Sequence, residues 1–170
     1  IVAGEFSQVA GIMASNIAQW DGSDWTPLGG IAGNGVNGPI YALARYQGSL
    51  YVGGSFSSAG GVPAANIARW DGSHWHALES GVGVTQPYHP AAVQVLAEYA
   101  GELVVGGLFT SAGGIDVRAL AQWNGSRWQP LRSGTDSIKP AYETVCLSPL
   151  SCVVAWNAVA VYGLQVHDGA

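Results

Sequence analysis

A ten-residue phrase that occurs three times constrains the fold of this chain more than any other feature. The copies are NIAQWDGSDW, NIARWDGSHW and ALAQWNGSRW, and they recur about every 50 residues. Landmarks on either side keep this spacing: Phe6, Phe56 and Phe109 before the phrase, and Leu28, Leu78 and Leu131 after it. Each copy holds two tryptophans, namely Trp20 and Trp25, Trp70 and Trp75, and Trp123 and Trp128. Repetition on this scale indicates one structural unit used three times.

The stretches between these landmarks predict four short strands in each unit. The second unit shows them as YALARYQG (41–48), LYVGGSF (50–56), NIARW and HWHAL, with a loop carrying SAGG between the second and the third. The third unit repeats the first two strands as VLAEYAG and LVVGGLF, whereas the chain opens on IVAGEF, which matches a second strand. No segment shows the sustained periodicity of an amphipathic helix.

An Asp-Gly or Asn-Gly pair joins the third predicted strand to the fourth in every unit. Such pairs favour two-residue type I′ turns, because Asn, Asp and Gly tolerate the positive φ that both central residues adopt. The sequence therefore predicts type I′ turns at Asp21-Gly22, Asp71-Gly72 and Asn124-Gly125.

Four antiparallel strands that recur about every 50 residues are typical of a β-propeller blade. We therefore expect an all-β chain of about three four-stranded blades, with approximate limits at 1–40, 41–93 and 94–134. A divergent tail, 135–170, comes after them. Within it we interpret 137–154 as a Cys-containing insertion and AVAVYG (158–163) as the first strand of another blade.

The landmarks of the second and third units resemble the kelch repeat, in which an apolar strand ends in Gly-Gly and two aromatic positions come after it. They are Gly53-Gly54 with Trp70 and Trp75, and Gly106-Gly107 with Trp123 and Trp128, while the first unit has Ala3-Gly4. The fuller phrase YVGGSFSSAGG…NIARWDGSHWHAL is similar to kelch-related propeller repeats of bacterial surface proteins and of the fungal cortical cell-polarity marker family. This resemblance covers about residues 1–134 and implies a fold that serves many functions.

Three units are fewer than the four to eight blades of a typical propeller. Three explanations stand: the chain is part of a longer propeller, further copies complete the ring, or the tail supplies the first strand that the opening unit lacks. An uncovered blade face is apolar and requires a partner. The opening IVAGEF carries neither an initiator methionine nor a signal peptide, so we expect a processed mature form, an excised segment or a fragment.

The charge balance excludes two classes of partner. Only 10% of the residues are charged, the formal net charge is -5, and Lys139 is the single lysine. Such a surface repels the phosphates of nucleic acids and the headgroups of anionic membranes. No apolar run approaches the ~20 residues of a membrane-spanning helix. Few lysines, many Trp and Gly residues and two cysteines instead predict an extracellular or cell-surface protein.

The spacing of the two cysteines, Cys146 and Cys152, suits a disulfide across a short loop. In an oxidising compartment we favour that bond over two free buried thiols. Two cysteines without a nearby Cys or His pair do not supply the four ligands of a structural zinc site, so no metal or other cofactor is predicted.

The tryptophans admit two interpretations. As a binding surface, the second Trp of each pair would stack on a sugar or peptide once per blade, and weak sites would add through avidity. As packing, each ring would fill the wedge between neighbouring blades, which explains why both positions are constant while their neighbours change. Packing is favoured overall, and the better binding candidates are the outer rings: Trp25, Trp75 and Trp128.

Residues beside the outer tryptophans complete the ligand-binding candidates: His74, His76 and Arg127. His74 and His76 lie two apart on one strand, so their side chains share a face as metal ligands do. The other units carry Asp and Thr or Arg and Gln at these positions. Such interchange favours a solvated outer strand over a metal site.

No catalytic constellation is assigned, so we predict that the protein is not an enzyme. Kelch-type copper-radical oxidases need a Tyr, Cys and His site, and the adjacent pair Tyr88 and His89 is too little to support that activity. The sequon Asn124-Gly125-Ser126 makes Asn124 an N-glycosylation candidate, although the turn alone already requires Asn-Gly.

These observations predict a non-catalytic extracellular or cell-surface propeller that binds a glycan or a protein through loops and aromatic side chains on a rigid frame. Two alternatives stay open. In one, the blades are an assembly scaffold that completes a ring or polymer with other copies. In the other, the chain is the propeller domain of a larger secreted enzyme.

Overall fold

A computed structural model describes residues 1–29, 35–84, 90–131, 142–148 and 151–156. Within these ranges the chain is built of strands, turns and loops, which confirms the predicted all-β class. No helix in the described ranges has the length and apolar character needed to cross a membrane.

Two complete four-stranded antiparallel sheets form the centre of the chain. Blade 2 contains the strands Ile40–Tyr46, Ser49–Gly54, Ile67–Trp70 and Trp75–Ala77. Blade 3 contains the strands Ala92–Tyr99, Glu102–Leu108, Leu120–Trp123 and Trp128–Pro130. Strands that are consecutive in the sequence pair with one another, so each sheet is a meander of the kind that forms a propeller blade.

Blade 1 has three described strands, Val2–Ala3, Ile17–Trp20 and Trp25–Pro27. They correspond to the second, third and fourth strands of the other blades. Val2–Ala3 pairs with Ile17–Trp20 as the second strand of blade 2 pairs with its third. Val2–Ala3 is therefore equivalent to a second strand, as the match of IVAGEF to a second strand predicts.

The loop between the second and third strands forms a small hairpin in every blade. The strand pairs are Gln8–Val9 with Ile12–Met13, Ser58–Ala59 with Val62–Pro63, and Ser111–Ala112 with Ile115–Asp116. The hairpin of blade 3 also pairs with Val82–Gly83, in the segment that leaves blade 2. The matching contact one blade earlier is the bridge between Val36 and Ala59. Successive blades are thus joined through their loops.

The apolar core consists of two layers, and each lies between neighbouring blades. The layer between blades 1 and 2 includes Ile17, Leu28, Leu50, Val52, Ala68 and Trp75. The layer between blades 2 and 3 includes Tyr51, Ile67, Leu78, Leu103, Val105 and Trp128. Alternate residues of one strand enter opposite layers, since Leu50 and Val52 belong to the first and Tyr51 to the second. Blade 2 consequently buries both of its faces.

The glycine pair at the end of the second strand lets the chain segments approach closely. A Cβ atom on Gly53 would lie 2.3 Å from Cγ1 of Val93, in the first strand of blade 3. A Cβ atom on Gly54 would lie 2.1 Å from the carbonyl oxygen of Pro39. Neither position has room for a side chain, so the Gly-Gly landmark is a packing requirement of the blade.

An asparagine before the third strand ties together three segments, and we call this arrangement the asparagine clasp. Asn66 has a φ of +65°. Its Oδ1 accepts a hydrogen bond from the N–H of Phe56 at 3.2 Å, and its Nδ2 donates to the carbonyl of Val82 at 2.9 Å. Asn16 makes the equivalent two bonds in blade 1, at 3.1 and 2.7 Å. Blade 3 has Ala119 at this position, with a φ of +61°.

The clasp predicts opposite effects for two substitutions. Asn66→Ala should destabilise the chain by about 2–3 kcal/mol, because it deprives two backbone groups of their partners and leaves Ala in the left-handed region. Ala119→Asn should stabilise it by up to about 1 kcal/mol, because Asn adopts this φ at lower cost. Urea unfolding followed by intrinsic fluorescence measures both changes. Shifts of the same sign in the two variants would contradict the role assigned to the clasp.

The tail contains a hairpin in which Tyr142–Ser148 pairs antiparallel with Ser151–Trp156. It lies largely within the segment interpreted from the sequence as an insertion. It comes after Leu131 as the first strands of blades 2 and 3 come after Leu28 and Leu78. In sequence order, the two strands therefore correspond to the first and second strands of a further blade.

Cys146 and Cys152 occupy directly opposite positions in the register of this hairpin. Opposite Cα atoms of an antiparallel pair are about 4.5–5.5 Å apart, within the range of about 4.4–6.8 Å that a disulfide spans. The backbone register is compatible with the disulfide, which stays a prediction, as do the approximate blade limits. The strand predicted at 158–163, together with Tyr88 and His89, lies outside the described residues.

Candidate functional site

Each blade holds its two tryptophans opposite one another on its last two strands. The register pairs Trp20 with Trp25, Trp70 with Trp75, and Trp123 with Trp128. The ring centroids are 5.3, 5.2 and 5.4 Å apart, and the rings are tilted by 46°, 52° and 59°. Aromatic pairs at such distances attract one another in tilted geometry. The two rings of a blade therefore act as one packing unit.

The outer rings of blades 2 and 3 are buried. Trp75 and Trp128 are 6% and 5% exposed. Cβ atoms built on Gly60 and Gly113 would lie 2.1 and 2.3 Å from Cδ1 of these rings, so the indoles pack directly on the loop backbone. Nε1 of Trp128 also donates a hydrogen bond to the carbonyl of Leu78, in the preceding blade, at 3.0 Å. The prediction that these two rings stack on a ligand is corrected, because the blade interface already occupies them.

Packing of Trp75 on its loop predicts a difference between two adjacent glycines. Gly60→Ala should destabilise the chain by about 2–4 kcal/mol, because the new Cβ collides with the indole and φ is +56°. At Gly61, φ is +79° and a Cβ meets nothing within 4 Å, so Gly61→Ala carries only the backbone cost of about 1–2 kcal/mol. Urea unfolding compares the two variants. Equal losses would contradict the packing role of Trp75.

The turn between the last two strands differs from the predicted type. In blade 2 it is a four-residue connection from Asp71 to His74, closed by a hydrogen bond from the Asp71 N–H to the carbonyl of His74 at 3.2 Å. Of these four residues, only Gly72 has a positive φ. Oδ1 of Asp71 accepts hydrogen bonds from the N–H groups of Ser73 and His74 at 2.8 and 2.7 Å. The type I′ prediction is therefore wrong, because the aspartate side chain closes a longer loop.

The same side-chain cap closes the turns of the other blades. Oδ1 of Asp21 accepts from the N–H groups of Ser23 and Asp24, both at 2.8 Å. Oδ1 of Asn124 accepts from those of Ser126 and Arg127, both at 3.0 Å. Asp and Asn are interchangeable here because each offers one oxygen at the same place. Arg127 lies exposed in its turn, and both its ligand-binding role and glycosylation of Asn124 stay predictions.

The two candidate histidines take part in the turn of blade 2. Nε2 of His76 lies 2.6 Å from Oδ2 of Asp71, and Nδ1 of His74 lies 3.0 Å from the Ser73 hydroxyl. Both histidines thus contact groups of their own hairpin. Among the residues that the structure describes, no three or more His, Cys, Asp or Glu side chains are grouped closely enough to hold a metal ion.

Hydrogen bonds hold the pKa of the Asp71 carboxyl well below its usual value. The N–H of His74 contributes most, and the ring of His76 and Ser73 contribute less. The pKa of Asp21 is lowered as well, first by the N–H of Asp24. A carboxyl whose pKa falls on folding stabilises the fold in its ionised form.

This cap predicts a stability that depends on pH. The folded-state pKa of Asp71 lies below the unfolded value of about 3.9, so its contribution is complete above that pH and is lost as the pH falls. Asp71→Asn keeps the acceptor oxygen that Asn124 uses in blade 3 and removes the charge. The wild type should be more stable than this variant near neutral pH, and the difference should shrink below about pH 4. Urea unfolding across pH measures it, and a difference that stays constant down to about pH 2 would contradict the assignment.

A cleft of about 340 Å³ opens beside blade 1, at the loop end of its junction with blade 2. It is lined by Glu5, Phe6, Ser7, Ser15, Asn16, Val36 and Asn37. These residues come from three segments: the loop after the second strand, the two residues before the third strand, and the link to blade 2. The sequence analysis predicted none of these residues to bind a ligand.

Hydrogen bonds fix the walls of this cleft. Asn16 contributes its clasp, whose Nδ2 donates to Val36. Oδ1 of Asn37 accepts from the N–H groups of Ser57 and Ser58, both at 2.9 Å, and its Nδ2 donates to the Ser57 hydroxyl at 2.9 Å. The link segment is thereby held to blade 1 on one side and to blade 2 on the other. The cleft is therefore a pre-formed feature of the frame.

Three polar side chains of the cleft remain available to a ligand. The Glu5 carboxylate and the hydroxyls of Ser7 and Ser15 form no hydrogen bond with any residue that the structure describes. Among the described residues that line the cleft, Glu5 is the one with a charged side chain. The corresponding residues in the second unit are Ser55, Ser57 and Ala65, so the Glu5 and Ser15 positions vary on a repeated frame. That variation is the one sequence signal that could have pointed to the cleft.

Comparison with known proteins bears on the fold. A family model described as a domain of unknown function (DUF5122) beta-propeller matches residues 48–70. The match spans the second and third strands of blade 2, and it supports a β-propeller-type repeat. No curated protein and no solved structure matches the chain.

Proposed function

We propose that this chain is a non-catalytic, kelch-like propeller module, extracellular or at the cell surface, that binds a saccharide unit of a glycan in the cleft of blade 1. The observation that carries the proposal is the convergence of Glu5, Ser7 and Ser15, all without hydrogen-bond partners in the described chain, in a cleft with fixed walls. The low proportion of charged residues and the lack of a basic surface are consistent with a neutral ligand.

The chemistry of the lining suits a sugar ring. A carboxylate accepts hydrogen bonds from two neighbouring hydroxyl groups, and serine hydroxyls both donate and accept. Phe6, which is half-buried, adds an apolar surface against the C–H groups of a ring. A volume of about 340 Å³ lies at the small end of ligand sites, which matches one saccharide unit. The carboxylate disfavours anionic sugars because the lining residues that the structure describes include no cationic side chain.

Saturation-transfer NMR with a panel of neutral and N-acetylated hexoses tests this proposal. We expect at least one sugar to bind with a Kd on the order of 1 mM. Glu5→Gln should weaken binding about tenfold, because it removes a charge-assisted hydrogen bond, and Ser15→Ala should weaken it several-fold. Tryptophan fluorescence is a poor readout here because no tryptophan is among the described residues that line the cleft.

Glu98→Gln is the matched control, since Glu98 is an exposed residue on the first strand of blade 3 and the substitution removes the same charge as Glu5→Gln. Binding should be unchanged in this variant. Two outcomes would overturn the proposal: silence across the whole panel, or binding that survives both Glu5→Gln and Ser15→Ala undiminished.

A further inference from the structure

The turn of blade 3 contains an Asn-Gly pair, and hydrogen bonds engage only one end of its side-chain amide. Oδ1 of Asn124 accepts from the N–H of Ser126 at 3.0 Å, from the Ser126 hydroxyl at 2.9 Å and from the N–H of Arg127 at 3.0 Å. Nδ2 of Asn124 forms no hydrogen bond with any residue that the structure describes. The carbonyl of this side chain is therefore polarised, and its amino group is not held.

The backbone nitrogen of Gly125 is the nearest nucleophile in the chain to this carbonyl. Gly125 is exposed, has a φ of +99° and donates its N–H to no residue in the described part of the chain. Glycine has no Cβ to obstruct the approach of its nitrogen to the preceding side chain. Attack of this nitrogen on Cγ of Asn124 closes a cyclic succinimide.

We infer that Asn124 is a site of spontaneous deamidation, with water as the reagent and ammonia as the product. The Gly125 nitrogen bonds to Cγ and gives its proton to solvent, and Oδ1 carries the negative charge of the tetrahedral intermediate. The Cγ–Nδ2 bond then breaks, and ammonia leaves with a proton taken from water. A second water opens the succinimide to an aspartyl or an isoaspartyl residue. The donors on Oδ1 stabilise the intermediate as an oxyanion hole does, because a hydrogen bond strengthens when its acceptor becomes charged.

A second Asn-Gly pair, Asn37-Gly38, has a polarised carbonyl as well but differs in two respects. Its Oδ1 accepts from the N–H groups of Ser57 and Ser58, but its Nδ2 is also bound, to the Ser57 hydroxyl at 2.9 Å. Gly38 is packed against blade 2, since a Cβ built on it would lie 2.2 Å from the carbonyl oxygen of Ser55. Ring closure at Asn37 therefore requires a hydrogen bond to break and Gly38 to move. Asn37 is nevertheless the more exposed of the two asparagines, so exposure alone predicts the opposite order of reactivity.

The aspartyl product suits the turn in which it forms. Asp21 and Asp71 occupy this position in blades 1 and 2, and each accepts the same two backbone N–H bonds. Conversion of Asn124 to Asp thus keeps the cap and adds one negative charge to the formal net charge of -5. The isoaspartyl product instead adds a methylene group to the backbone of the turn and disrupts the cap. Deamidation also removes the amide that N-glycosylation of Asn124 would use, so the two modifications exclude each other.

Incubation of the full chain at mildly alkaline pH, followed by peptide mapping, tests the inference. Trypsin releases Asn124 in the peptide ALAQWNGSR, and tandem mass spectrometry assigns conversion at Asn124 and at Asn37 separately. In the folded chain Asn124 should convert at least about tenfold faster than Asn37, because reaction at Asn37 requires the loss of native hydrogen bonds. In the chain unfolded by urea the two rates should become similar, since both asparagines precede glycine. Asn34, which also precedes glycine, lies outside the described residues and is scored separately.

A pair of serine variants tests the role of the donors on Oδ1. Ser126→Ala removes the hydroxyl donor and leaves both N–H donors in place, so it should slow deamidation of Asn124 several-fold. Ser73→Ala removes the equivalent hydroxyl in the turn of blade 2 and is the matched control. It should leave the rate at Asn124 unchanged. Far-UV circular dichroism checks that both variants keep the fold.

Three results would refute the inference. They are conversion of Asn37 at the rate of Asn124 or faster in the folded chain, a preference for Asn124 that is equally large after unfolding, and a Ser126→Ala chain that deamidates as fast as the wild type or faster. Asn124 is not among the described residues that line the cleft, and sugar binding is measured separately. Failure of one proposal therefore does not decide the other.

Discussion

The contact between a blade's last tryptophan and the blade before it is the interaction on which the rest of this structure depends. Trp128 lies between the backbone of Gly113 and the carbonyl of Leu78. Full burial of such a ring removes about 200 Å² from water, worth on the order of 5 kcal/mol as an upper bound. Three features contribute to the burial of this ring: the glycine-rich loop, the cross-strand ring pair and the leucine after the last strand. A blade of this kind is complete only when it has a neighbour.

The fold was predictable from the sequence wherever the contact of the last tryptophan with the preceding blade imposes a constant spacing. Large rings must recur at the same place in every blade, so their period predicted the sheets, the strand order and the loops. The position of the turn was predicted as well, but its type was not. Turn propensities describe the backbone of an Asp-Gly pair, whereas Asp71 closes the loop with its side chain and thereby adds two residues to it.

Neither the cleft nor the hairpin of the tail was predicted from the sequence, and the reasons differ. The cleft is formed by residues that lie far apart in the sequence, such as Glu5 and Asn37, and the asparagine clasp together with backbone hydrogen bonds holds their segments together. No local pattern marks such a convergence. The strand Tyr142–Ser148 was missed because the tail lacks the Gly-Gly and tryptophan landmarks by which the other blades were recognised. Its strands pair in the register of a hairpin all the same.

The set of segments that the asparagine clasp contacts has a consequence for how the chain unfolds. Asn66 bonds only to its own loop and to the carbonyl of Val82, whose segment pairs with the next blade. Every stabilising link of this type thus couples nearest neighbours and nothing further along. Cooperativity in such an array decays with distance, and fraying starts at whichever end has the weakest link. Because Ala119 has no side-chain amide, blade 3 lacks the clasp that blades 1 and 2 have, and we expect unfolding to begin in blade 3.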